Sequence, residues 1–208
     1  RHGASDAFKY HISVADPREG ESMSFVINIR VSMKSTDKFI EALYKEDDVG
    51  CVIYTHIHVE SLIIKYLDIF LPESKFIKEM RLDYFQKVHL SLALGFPIEL
   101  KGPLLGLGKA RNNFAHRLDQ KIDANFVNNF YKTFSKEHQS DISSQAVKNI
   151  FKLAKTWKDL SPKDKFIDCC NSLHSRVECV IIEHSTEKDI NEISRVMFDV
   201  NVAVNKNL

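Results

Sequence analysis

Residues 49–70 read VGCVIYTHIHVESLIIKYLDIF. Val49, Val52, Ile53, Val59, Ile63, Leu67 and Phe70 return to one side of a 3.6-residue period, and Pro72 closes the run because proline cannot continue a helix. The stretch therefore predicts a long amphipathic helix, and its neighbours repeat the pattern. Upstream, Thr36 can cap a helix carrying Phe39, Ile40, Leu43 and Tyr44. Downstream, Phe85, Val88, Leu92 and Ala93 form a third periodic run that stops at Gly95, with Pro97 beyond it. Further helices fit 123–135, 143–159 and 163–183. A last one is expected from Thr186, where Asp189 stands in place of Glu or Gln and makes only a partial capping box. The class predicted is all-α, with six to eight helices.

Two segments depart from this pattern. Ser24–Val31 (SFVINIRV) alternates with period 2 and reads as a short strand standing alone. GPLLGLG, 102–108, holds Gly102, Gly106 and Gly108. Each glycine inside a helix costs about 1 kcal/mol relative to alanine, so close packing against another backbone is the expected reason for them. Residues 1–22 lack an apolar signal core and precede Met23; they are expected to be a tag, leader or disordered arm. The organisation expected is this arm, a helical bundle over 23–138, and a helical extension over 139–208 packed on the same domain.

Composition narrows the function classes. Of 208 residues, 44% are hydrophobic and 27% charged, a balance that excludes wholesale disorder. Lys plus Arg is 29 against 28 for Asp plus Glu, so a nucleic-acid surface has to be a local patch. Such a patch lies at Leu100–Ser140, where Lys101, Lys109, Arg111, Arg117, Lys121, Lys132 and Lys136 outnumber Asp119, Asp123 and Glu137. Lys148, Lys152, Lys155 and Lys158 would share one helical face; the plainer reading of such a stripe is a solvated surface. Cys51, Cys169, Cys170 and Cys179 include no C-x-x-C pair, which fits a reduced, cytoplasmic protein. No apolar run approaches the roughly 20 residues of a membrane span. P-loop, G-x-S-x-G and H-E-x-x-H motifs are missing, so nothing points to nucleotide hydrolysis, serine hydrolase or zincin chemistry.

The segment that carries chemistry is KARNNFAHRL, 109–118. Transfer at a phosphodiester without a metal needs a base for the attacking hydroxyl's proton, an acid for the leaving oxygen, and positive charge on the phosphate. His116 can serve as acid or base near neutral pH. Arg111 offers a fork matched to phosphate oxygens. Asn112 and Asn113 can orient phosphate or imidazole, while Lys109 and Arg117 add phosphate contacts. Five residues at ~100° each put Arg111 and His116 about 140° apart on one helix, so a single helix aims them poorly at one phosphate. Two copies across a twofold axis can converge. The plainer reading makes Arg111 an ion-pair partner and His116 a cation at the helix C-terminus.

With THIHVESLI (55–63) and FQKVHLSLALGF (85–96), this segment resembles the HEPN superfamily, and within it the mannitol operon repressor family. The resemblance covers roughly 36–135 and rests on Arg-x4-His, with a polar residue following the arginine. It implies an antiparallel helical bundle and a homodimer with a composite cleft. It also implies RNA cleavage by Arg111, Asn112 and His116 without cofactor or metal, of the toxin or defence type, with an antitoxin or regulatory protein as a further partner. The alternative it carries is a non-catalytic transcriptional regulator. Toxins of this kind that a nucleotidyltransferase silences often carry a tyrosine two residues after the histidine, where this chain has Leu118.

His56, His58 and Glu60 resemble a metal cluster in one dimension only. On a helix the two histidines point about 160° apart and cannot ligate one ion. His56 and Glu60 share a face at i, i+4, and the expected role is a carboxylate orienting an imidazole near the cleft.

Overall fold

The computed structural model describes residues 8–15, 22–29, 33–117, 119–146 and 156–206, with side chains described within 38–188. Two compact units divide at Phe39 and Ile40. In the first, β1 (Phe8–Ala15) and β2 (Ser22–Ile29) form an antiparallel hairpin with Phe8 opposite Ile29 and Ala15 opposite Ser22. This corrects the isolated strand expected at 24–31 and draws part of the 1–22 arm into structure. FKYHISVA alternates with period 2, as its partner does, and an isolated strand would leave its backbone groups unpaired.

The helices make the class all-α. In chain order they are α1 (Met33–Lys45), α2 (Asp48–Phe70), α3 (Lys75–Glu79), α4 (Tyr84–Ala93), α5 (Lys101–His116), α6 (Ala124–Tyr131), α7 (Lys136–Ala146) and α8 (Pro162–Lys206). Residues 139–206 belong to the same unit as 40–138. Local chemistry sets the ends. Asp47 accepts from the Gly50 N–H at the start of α2, and Asp83 and Gln86 form a reciprocal capping box at the start of α4. Thr186 opens no new helix: its hydroxyl donates to the Ile182 carbonyl one turn back, and α8 runs through. The helix expected at 143–159 is also revised. α7 starts earlier, at Lys136, and is described to Ala146; residues 147–155 lie outside the described residues. Lys158 sits in a 3₁₀ turn, Trp157–Asp159, set off by a capping box between Thr156 and Asp159.

α2 is the spine of the second unit. Cys51, Val52, Val59, Ile63, Tyr66 and Leu67 are each at most 1% exposed, which such a helix achieves only when packed on several sides. Its neighbours approach with different polarity. α5 is antiparallel to it, with Ile122 just beyond α5 donating its N–H to Asp48 at 2.9 Å. α4 is parallel: Lys87 reaches Glu60 near its start, and the Tyr66 hydroxyl donates to the Leu94 carbonyl at its end. α8 is parallel too. Lys163 bonds the Glu46 carbonyl at one end and Lys188 the Ile69 carbonyl at the other. α8 lies in the extension beyond the 23–138 bundle, and it runs alongside α2 in the same direction. Parallel helices need a return crossing, and α3 to α7 provide it.

The glycines of α5 serve contacts within the chain. A Cβ on Gly102 would stand 2.3 Å from the Thr133 carbonyl oxygen, and one on Gly108 would stand 2.8 Å from the Tyr84 ring. Behind them Phe114 packs on Phe126, which meets Phe166 of α8.

Candidate functional site

Leu104, Leu107 and Gly108 lie on the buried side of α5, and Arg111 follows seven, four and three residues later on the same stripe. There the stripe emerges from the core, so Arg111 is exposed yet faces α2 and α4 rather than open solvent on all sides. The result is a cleft of about 290 Å³ lined by His56 and Glu60 of α2, Asp83, Tyr84 and Phe85 of α4, and Gly108, Arg111 and Asn112 of α5. Gly108 matters here because any side chain would press on Tyr84 and Phe85 and push α4 away from α5.

His56 is 6% exposed, with its ring 4.3 Å from that of Tyr84. Its Nδ1 stands 3.8 Å from Glu60 Oε2, too long for a direct hydrogen bond, while Glu60 Oε1 takes a 2.7 Å ion pair from Lys87. Burial pushes the imidazole below the usual histidine range; Glu60 opposes this, and the Arg111 and Lys87 charges add to it. His56 is thus a neutral acceptor at neutral pH, next to a permanent cation. Tyr84 is fixed by donating its hydroxyl to the Leu104 carbonyl at 3.0 Å. Arg111 Nη1 donates to Asn112 Oδ1 at 3.2 Å, an exposed contact that leaves most of the fork for a ligand.

The structure brings together Arg111, Asn112, His56 and Glu60 from the residues singled out in the sequence. His116 does not line the cleft. It is the last residue of α5, exposed, and about 140° around the helix from Arg111. Asn112 and His116, at i, i+4, share an outer face with Lys109 and Asn113, all exposed. Arg117 follows in extended conformation as the helix cap. Lys148, Lys152 and Lys155 lie outside the described residues. Asp83, Tyr84, Phe85 and Lys87 were missed, and Asp83-x-x-Gln86 was the available signal: a capping box that starts α4 at the cleft.

His56 and His58 do lie on different sides of α2. His58 stacks on Tyr54 at 4.3 Å and stands 6.1 Å from the ring of His174 on α8. Burial, His58 and Lys65 push His174 down to about 4, while Glu178 Oε2 lies 3.9 Å from its Nδ1. A histidine with a depressed folded pKa resists protonation that the unfolded chain accepts near pH 6.5. Stability is then full above about pH 6.5 and falls as pH drops toward about 4, by about 3 kcal/mol for this residue. His56, His58 and His138 are shifted in the same direction and add to the same limb. Urea midpoints taken between neutral pH and about pH 4 should show the loss, and His174→Leu should flatten the larger share of it.

Among the described residues, no group of three or more His, Cys, Asp or Glu is placed to hold a metal ion, and no helix is long and apolar enough to cross a membrane. Comparison with known proteins returns no matching family model, no matching curated protein and no matching solved structure.

Proposed function

We propose that the chain is a metal-independent endoribonuclease of the HEPN toxin or defence type, working as a cytoplasmic homodimer. The observation that carries this reading is the cleft itself: a fork-shaped cation, Arg111, and an amide, Asn112, opposite a buried neutral imidazole, His56. That combination suits a phosphodiester undergoing internal transfer, which needs charge on phosphorus and proton acceptors close by. His116 stands on the outer face of α5 with Lys109, Asn112 and Asn113. Asn112 both lines the cleft and shares that face, so a twofold contact there would bring His116 of one copy to the mouth of the other copy's cleft. The excess of Lys and Arg over 100–140 supplies local attraction for RNA.

The test is incubation with single-stranded RNA in EDTA. Cleavage should proceed, leave a 2′,3′-cyclic phosphate, and fail on a 2′-deoxy substrate that lacks the nucleophile. Cleavage that needs Mg²⁺, or a chain that is monomeric at tens of micromolar, removes the composite site.

One observation favours the second reading, a regulator resembling the mannitol operon repressor. Phe76, Met80 and Ile98 are exposed in or beside α3 and before α5, where a protein partner can cover them. No cleavage by the wild type, together with a tight protein partner, would establish that role instead.

A further inference from the structure

We infer that His56 is the proton acceptor of this site: it takes the 2′-hydroxyl proton of the ribonucleotide whose phosphate rests on Arg111 and Asn112 of the same chain. The inference rests on the ribonuclease reading above and assigns the two histidines different tasks. His56 lines the cleft that Arg111 and Asn112 enter, whereas His116 lies outside it at the end of α5. A group that must touch the attacking hydroxyl belongs inside, beside the phosphate-binding fork. The cavity, at about 290 Å³, is at the small end of ligand sites and fits one sugar–phosphate unit.

The surroundings suit a base. Glu60 from α2, Asp83 capping α4, Tyr84 and Lys87 from α4, and Arg111 from α5 are the titratable groups around the imidazole. Burial and the two cations keep it neutral, while Lys87 holds Glu60 at 2.7 Å and so blunts the one charge that acts the other way. The Glu60 carboxylate on the Nδ1 side favours the tautomer with its proton on Nδ1, which leaves the Nε2 lone pair to accept.

The step balances. His56 Nε2 takes the proton from O2′, and the O2′–P bond forms. The P–O5′ bond breaks, and O5′ takes a proton from the imidazolium of His116 of the second copy. The products are a 2′,3′-cyclic phosphate and a 5′-hydroxyl. The histidines finish with exchanged protonation and reset through water.

The experiment follows cleavage of a mixed-sequence single-stranded RNA across pH by the wild type, His56→Gln and Lys87→Met. His56→Gln should lower kcat by ~100-fold or more with little change in KM, and should remove the acid limb of the profile. Because His56 packs on Tyr84, a folding defect in that variant is a separate possibility, which Lys87→Met bypasses since Lys87 lies outside the cleft lining. Losing this cation should move the acid limb to higher pH, because the imidazole is then easier to protonate. Folded His56→Gln with activity within about threefold of wild type overturns the assignment of His56 and leaves Arg111 and His116 in place. So does an acid limb unmoved in Lys87→Met. Absence of cleavage by the wild type overturns the ribonuclease reading and this inference together.

Discussion

Arg111→Ala and His116→Ala should each lower RNA cleavage by ~100- to 10,000-fold, the usual worth of a general acid, general base or charge stabiliser. Neither should unfold the chain, since both side chains are exposed and Arg111 hydrogen-bonds to its neighbour Asn112. Mixing the two inactive variants makes the result sharper. If the site takes Arg111 from one copy and His116 from the other, a mixed dimer contains one intact site and one doubly deficient site. Random exchange makes half the dimers mixed, so activity should recover to about a quarter of wild type. A mixture that stays inactive while subunits demonstrably exchange would place both residues in one chain, against the helix geometry.

Phe114→Ala should have the largest effect on stability, about 3–5 kcal/mol, as expected for emptying a fully buried aromatic site. Phe114 is 0% exposed and sits against Phe126, which joins α5 to α6 and α8. The loss corresponds to roughly 10 °C in Tm for a unit of this size, read by calorimetry or by a urea midpoint with unchanged slope. At low temperature, where the variant remains folded, cleavage should stay close to wild type. Phe114 follows Arg111 by three residues on the same side of α5, but it does not line the cleft and its ring packs on Phe126 instead. A Tm shift of only a few degrees would mean that α5 is not anchored by this ring.

The contrast between these two substitutions shows what could be read from sequence alone. α2 and α4 were legible because apolar period and a closing Pro or Gly agree within each segment. α8 was cut in two at Thr186 because a threonine can cap a helix or bond backwards within one, and only the chain before it decides which. The hairpin partner of β2 was missed because Phe8–Ala15 lies in a segment set aside for its position in the chain. At the site, His56 and Glu60 were visible as an i, i+4 pair, and Arg111 with Asn112 as a motif. Their convergence was not visible. It depends on α5 running antiparallel to α2 and on Gly108 letting α4 close the third wall, both long-range facts.

The parallel pairing of α2 with α8 has a consequence for synthesis. α2 leaves the ribosome with an apolar surface whose principal cover, α8, begins 92 residues after α2 ends. At typical elongation rates of about 5–20 residues per second, the wait is on the order of ten seconds. During that interval Cys51, Thr55, Ile63 and Leu67 belong to a nascent chain with an unfinished core, a natural client for chaperones. Arg111 and Asn112 emerge before α8, the helix that packs on α2 behind their cleft. The cleft is therefore fully braced only once α8 has been made, and translation products that stop before α8 should aggregate or be degraded.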